Sequence, residues 1–301
     1  MPSAGWMVIL VLVAGDAERY PSDDRIDLAR RSASWNVVHA ADPRDDPPGT
    51  QSVLRALTLL DLVAVMARDR PAGVSLSELV RTSGRPKPSV HRALAALVHA
   101  GYVEQEQPTG RYRLGLQAAV LGELADRGAD RLGDAATDPL IRLAESSGDT
   151  AFLTVRQGSY ALCTRTQEGP GPIRNSALAV GDRHPLGIGA GSLAVLSALD
   201  DDEVATVLRA HAGARIRYPR YDDATLLRLV ARTRADGHAL NDGLFVPGSW
   251  GVGVVLRDRA GRPVAGLSIA SIEQRMGPRR RAELAAELHR CAREIEDRAC
   301  R

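Results

Sequence analysis

The chain has 301 residues, 44% of them hydrophobic and 25% charged, which is enough for about two ordinary globular domains and excludes a disordered or fibrous chain. Its net charge of +2 implies no partner by itself. The charge is uneven, however: residues 51–115 carry nine Arg/Lys against five Asp/Glu, a local +4, whereas residues 1–50 carry five against eight, a local −3. A basic module inside a near-neutral chain points to a polyanion partner.

At the N-terminus, the apolar run Trp6–Ala14 is too short for a bilayer, which needs about 20 residues. No Lys or Arg precedes it, so it lacks the basic start of a signal peptide. It reads as a fragment of strand or a mis-assigned translation start, and no membrane segment is expected. Residues 16–50 are polar and broken by Pro21, Pro43, Pro47 and Pro48, so 1–50 is read as a poorly ordered extension.

Three helices are expected in the basic module. The first runs from about Gln51 to Ala67, with Val53, Leu57, Leu60 and Ala64 at helical spacing and Leu54 and Leu62 widening the face. Asp69-Arg70-Pro71-Ala72-Gly73 stops it. The second begins at Ser75, where Ser75-Leu76-Ser77-Glu78 forms a capping box, and Gly84 ends it. The third runs from about Pro86 to Ala100, with both prolines of its first turn at tolerated positions. Val90, Leu94, Leu97 and Val98 form its buried stripe. Lys87, the only lysine of the chain, stands with Ser89, His91 and Arg92 at the N-terminal end, where a recognition helix carries its base-reading side chains. Tyr102–Gln105 and Gly110–Leu114 make a hairpin wing, with Arg111 and Arg113 alternating about Tyr112. The module, 51–115, reads as a winged helix-turn-helix. Its DNA-binding candidates are Lys87, Ser89, Val90, His91, Arg92, Arg111 and Arg113, and its partner is double-stranded DNA.

A connecting helix is expected over 116–133, from Leu116, Val120, Leu121 and Leu124, followed by a helix carrying Leu140, Ile141, Leu143 and Ala144. The periodicity then changes. Thr150–Val155 and Tyr160–Thr164 read as a hairpin, and Ile173–Val180 as another strand. Gly187-Ile188-Gly189-Ala190-Gly191-Ser192 leads into an apolar helix, and two more helices are expected over 201–211 and 222–236. Val252–Leu256 pairs with Val264–Ile269 across a turn, and a final helix runs from about Pro278 to Arg298. Mixed helices and hairpins indicate an α+β domain over 134–301.

Catalytic signals are missing from the sequence. The glycine loop at 187–192 is followed by no Gly-Lys-Ser/Thr and is not a Walker motif. It is either a helix start suited to an anionic or polar ligand or a tight turn that permits close packing. There is no Gly-x-Ser-x-Gly elbow. His184 and His238 lie beside these segments and are read as surface or hydrogen-bonded structural residues. Cys163, Cys291 and Cys300 have no metal-ligand spacing. On one helix Cys291 and Cys300 would stand roughly 13 Å apart, out of disulfide reach. They read as free thiols of a reducing cytoplasm. No metal, cofactor or enzymatic activity is implied.

In this order, Val53-Leu54-Arg55-Ala56-Leu57, Leu76-Ser77-Glu78-Leu79, Lys87–Leu94, Gly101-Tyr102-Val103 and Tyr112-Arg113-Leu114-Gly115 resemble the IclR-type bacterial transcription regulators. Glu168–Arg174, Pro185-Leu186-Gly187, Gly237–Asn241 and Gly261–Ser268 agree with that family's C-terminal half. The resemblance covers about residues 50–298. It implies a GAF-like effector-binding domain, a homodimer or dimer of dimers, and a palindromic operator, with the effector shifting the two DNA-binding heads through the 116–133 helix. Carried over by position, the effector residues are Ala190, Gly191, Asn241, Asp242, Ser249, Gly251, Ser268 and Ala270. Many members have cysteine where Gly251 stands and serine where Ala270 stands. A less polar, roomier pocket is therefore expected, suited to an aromatic or larger organic acid. Arg174 either balances its carboxylate or lies on the surface. The other readings are a DNA-binding scaffold with a degenerate effector pocket, and a small-molecule enzyme regulated by the N-terminal module.

Overall fold

The computed structural model describes residues 49–68, 70–129, 131–171 and 177–299. Residues 1–48, Arg174 and Cys300 lie outside them. So does Asp69, from the expected stop of the first helix.

Residues 51–114 form α1 (Gln51–Ala67), α2 (Leu76–Ser83), α3 (Lys87–His99), β1 (Val103–Glu106) and β2 (Arg111–Leu114). The punctuation is that of the sequence. The Ser75 hydroxyl accepts the Glu78 amide at 3.3 Å, and Glu78 accepts the Ser75 amide at 2.9 Å. Gly84 closes α2 in the left-handed region at φ 64°, a conformation that costs glycine little. Leu59, Leu62, Val63, Leu79, Val90, Leu94, Val103 and Tyr112 share one core. The buried face of α1 matches the expected one only in part: Leu62 is buried and Leu60 packs against the core, but Val53 and Leu57 are exposed and Leu59 and Val63 are buried instead. The α1 sequence is apolar nearly all round, so its periodicity admits more than one inward face. Val74 and Tyr112 exchange backbone hydrogen bonds of 2.8 Å, fastening the wing to the α1–α2 connection.

The connecting helix, α4 (Leu116–Ala129), ends four residues earlier than expected, and α5 begins directly afterwards (Arg131–Ser147). Beyond it lie β3 (Thr150–Gln157), β4 (Tyr160–Gln167), β5 (Arg183–Pro185), α6 (Ala190–Ser197), α7 (Asp201–Ala210), α8 (Asp223–Asp236), β6 (Ala239–Val246), β7 (Ser249–Arg257), β8 (Pro263–Ile272) and α9 (Pro278–Ala299). The strands form one antiparallel sheet in the order β5-β4-β3-β8-β7-β6. Two expectations change. The strand expected over 173–180 is not found among the described residues 177–180, where the chain turns, and the third strand falls at 183–185. The strand β6, which the sequence reading left out, pairs Asn241 with Gly251 and Asp242 with Trp250.

Alternation separates the faces of the sheet. Leu153, Leu240, Val252, Val254, Leu256, Leu267 and Ile269 pack against α5 and α9 through Leu140, Leu143, Leu284, Leu288 and Ile295. The opposite face, rich in small residues, receives α6, α7 and α8 through Leu193, Leu196, Val204, Leu226 and Leu229. β5 and β6 are opposite edges, yet the His184 and Phe245 ring centroids are 5.9 Å apart. The sheet therefore curls, and this second face is concave. No helix among the described residues is long and apolar enough to cross a membrane.

Candidate DNA-binding surface and effector site

At the N-terminal end of α3, Lys87, His91 and Arg92 are exposed and Ser89 is half-buried. Among the described residues, neither Lys87 nor Arg92 is paired with a carboxylate. Val90 does not join them. Its side chain is fully buried against Leu79 and Leu94, because a helix of this length must turn one stripe inward to be held. On the wing Tyr112 packs inward and both arginines are already engaged. Arg113 meets Glu104 at 3.1 Å. Arg111 donates to the Gly73 carbonyl at 2.9 Å and lies 3.7 Å from Glu78. Hydrogen bonds from Ser75 hold the Glu78 carboxyl below the usual carboxylate range, with Arg70 and Arg111 adding to the effect. Arg81 and Arg85, on α2 and in the turn before α3, extend the basic end; the sequence reading passed over them.

The effector candidates collect where α6 meets the concave face. Gly253 and Gly266 lie under the start of α6. A Cβ would stand 2.6 Å from the Ala190 carbonyl in the first case and 2.1 Å from the Gly191 oxygen in the second. Of the two readings of the glycine loop, close packing is the one that this geometry displays. A Cβ on Gly191 would lie 3.1 Å from the Ser268 hydroxyl and 3.5 Å from that of Thr154. Register puts Asn241, Gly251, Ala270 and Thr150 in one row across the face, and Gly253, Ser268 and Phe152 in the next. The extra room expected at Gly251 is not there, since a Cβ on it would meet the Ala190 methyl at 3.3 Å.

Asn241 is firmly held. Its Oδ1 accepts from the Tyr221 hydroxyl at 3.0 Å and the Phe245 amide at 3.2 Å, and its Nδ2 donates to the Ser249 carbonyl at 3.5 Å. The Tyr221 hydroxyl in turn accepts the Gly189 amide at 3.4 Å. Burial pushes its ionisation well above the ordinary tyrosine value, so it stays a neutral donor. Asp242 does not join the site. It alternates to the other face, opposite Trp250, and its carboxylate lies 3.8 Å from Arg232.

The winged helix, the curled sheet and the loop-helix start agree with two family descriptions. The IclR helix-turn-helix domain matches residues 52–107, and the bacterial transcriptional regulator IclR C-terminal matches residues 131–297. The chain belongs to the IclR family of bacterial transcription regulators. It is 29% identical over 258 residues to the HTH-type transcriptional regulator BhcR of Paracoccus denitrificans, covering 83% of this chain and 88% of that protein. It is 28% identical over 260 residues to the acetate operon repressor of Salmonella typhimurium, covering 81% and 88%. An IclR homolog from Microbacterium hydrocarbonoxydans, whose crystal structure is complexed with 4-hydroxybenzoate, shares the fold with a TM-score of 0.62 at 22% identity, over 82% of this chain and 97% of that one.

This IclR-family chain is thus a DNA-binding transcription regulator whose C-terminal α+β domain is GAF-like. Its relatives are regulators rather than enzymes. His238 fits its structural reading, with Nδ1 at 3.0 Å from the Asp236 carbonyl. His184 does not. It is buried, and neither ring nitrogen has a hydrogen-bond partner. Thr154, Phe245 and Tyr221 are further site neighbours that sequence reasoning missed. Register puts Thr154 near α6, and hydrogen bonds to Asn241 and Gly189 bring in Phe245 and Tyr221.

Proposed function

We propose that this regulator reads a palindromic operator in the cytoplasm as a homodimer or dimer of dimers. In this reading residues 51–115 bind DNA, and α3 enters the major groove. Arg92 and Lys87 contact base edges or phosphate, Ser89 and His91 make polar contacts, and Arg111 and Arg113 approach the backbone once released from their partners. The observation that carries it is the cationic end of α3, where Lys87 and Arg92 are exposed and, among the described residues, meet no carboxylate. The self-association surface is α4, where Leu116, Val120, Leu121 and Leu124 are all exposed, from 40% at Val120 to 74% at Leu116. A stripe of that kind needs a partner.

The effector in this reading is a small organic acid, aromatic by preference, held at the concave face by Ala190, Gly191, Asn241, Ser249, Gly251, Ser268 and Ala270. Support comes from the small side chains there, from the aromatic wall of Phe245 and Tyr221, and from the 4-hydroxybenzoate complex of the Microbacterium homolog. Binding shifts the two DNA-binding heads through α4. The filled space at Gly251 favours one competing reading, a DNA-binding scaffold with a closed effector site. Mobility shift on the upstream intergenic DNA, with and without a panel of aromatic and aliphatic acids, tests the proposal. A shift altered by one acid supports it, and tight binding blind to every acid supports the scaffold.

A further inference from the structure

The packing of the effector face leaves His184 unexplained. The residue is 2% exposed, and neither imidazole nitrogen has a hydrogen-bond partner. Buried polar atoms in folded proteins are nearly always paired, and an exception asks for a reason.

Register places it on the effector face. His184 pairs with Ala161 and Ala161 with Arg156. Arg156 lies two residues beyond Thr154, whose hydroxyl is 3.5 Å from the position a Gly191 Cβ would take. Residues two apart share a face, as do directly paired ones. The curl of the sheet then brings the imidazole round to the other edge, where it stacks on Phe245 at 5.9 Å and 29°. Phe245 connects back to the site: its amide donates to Asn241, and its Cδ1 lies 3.9 Å from where a Gly189 Cβ would be. The Tyr218 ring is 6.2 Å from that of Phe245. His184 and Asn241 thus stand on two sides of the start of α6, with an aromatic wall between them.

The state of the ring narrows the chemistry. Burial pushes the imidazole down to about 4, and the Ile188 backbone, which does not reach hydrogen-bond geometry with either nitrogen, acts more weakly in the opposite sense. At neutral pH it is uncharged, with one N–H donor and one bare acceptor nitrogen. A hydroxyl group, which donates and accepts, can pair with whichever nitrogen faces it, giving its proton to the bare one or accepting from the N–H. A carboxylate only accepts, so it can pair with the N–H but not with the bare nitrogen.

Resting on the effector reading above, we propose that His184 is a ligand-binding residue that pairs with the hydroxyl of a hydroxylated aromatic acid whose ring lies against Phe245.

The test uses the full chain as wild type and His184→Leu. Melting is measured without ligand, and affinities for 4-hydroxybenzoate, 3-hydroxybenzoate and benzoate are measured by calorimetry. The leucine variant should melt higher than wild type, because an unpaired polar ring has been replaced by an apolar group. Wild type should prefer a hydroxybenzoate over benzoate by about tenfold or more, the scale of one buried hydrogen bond. The variant should bind both about equally, with benzoate affinity kept. His184→Phe, closer in volume, carries the same expectation if the leucine variant does not fold. A lower melting point in both variants makes His184 structural and overturns the proposal. So does a hydroxyl preference that survives in them, or a wild type without one. Failure of the effector reading itself has a separate signature: no organic acid, hydroxylated or not, stabilises the wild type, and the proposal falls with it.

Discussion

Gly266 and Gly191 meet so closely that a Cβ on Gly266 would stand 2.1 Å from the Gly191 carbonyl oxygen. The start of α6 can rest on β8 only because that position has no side chain. Gly266→Ala forces the helix off the sheet and should destabilise by at least about 1–3 kcal/mol, the usual range for overpacking a core. Gly122→Ala on α4 is the control, since a Cβ there meets nothing within 4 Å. It should be neutral or stabilising by up to about 1 kcal/mol. Urea denaturation of both variants checks the pair, and equal stabilities would contradict the close-packing account.

A second prediction concerns Asp149. Its buried carboxylate accepts from the Ser271 hydroxyl at 2.6 Å, Arg275 at 3.1 Å and Arg280 at 3.3 Å. It thereby ties the end of α5 to β8 and the start of α9. Asp149→Ala leaves two arginines facing a gap. Both are about a third exposed, so the cost should be about 1–3 kcal/mol, below that of breaking a fully buried pair. Thermal unfolding of the variant measures it, and an unchanged melting point would show that the cluster is idle.

On the DNA surface, Arg92→Ala should weaken operator binding by about 1–3 kcal/mol while leaving stability intact. Val90→Ala should behave in the opposite way. Its side chain is fully buried, so the variant should lose about 1–3 kcal/mol of stability and, while folded, keep its operator affinity. Anisotropy titrations at fixed salt, paired with denaturation curves, separate the two.

The exposed stripe of α4 yields a prediction about assembly. Leu116→Asp combined with Leu124→Asp puts charge into a surface that the proposed dimer buries, and should lower the sedimentation mass of the protein to that of one chain. A double variant that sediments like wild type would move the self-association surface elsewhere.

The imidazole of His184 links stability to pH. Its native value, about 4, lies below the ordinary 6.5, so the unfolded chain takes up the proton first as pH falls. Stability is full above 6.5 and is lost between 6.5 and 4, by about 3–4 kcal/mol at about 1.4 kcal/mol per unit. His211 is lowered as well, chiefly by burial, and contributes in the same direction in any variant. The difference between wild type and His184→Leu isolates His184. Parallel stability curves across that window would contradict its neutral burial.

Much of the winged helix was legible in the sequence because its boundaries are chemical. Ser75 with Glu78, Pro86 with Pro88, and Gly84 with Gly101 each mark a stop or start with a local cause. The inward face of α1 was only partly legible: Leu62 was on the expected face, but apolar residues ring that helix and only packing against Leu79 and Val90 selects Leu59 and Val63 over Val53 and Leu57. The strand β6 escaped because Asn241-Asp242-Gly243 are poor strand formers, and its pairing with β7 overrides their propensity. The effector residues Asn241, Gly251, Ser268 and Ala270 came from resemblance, and register then put them on one face. His184 could not be found that way, because its place depends on the curl that joins two sheet edges distant in sequence.

The central claim is that α3 reads DNA through its exposed N-terminal cations. The most direct measurement is an anisotropy titration of wild type and Arg92→Ala on the chain's own upstream intergenic DNA, at one salt concentration, against a scrambled duplex. Saturable wild-type binding that prefers the intergenic duplex, weakened about 5- to 150-fold by Arg92→Ala, is the predicted result. Equal affinity of the two proteins, or no preference over the scrambled duplex, would contradict it.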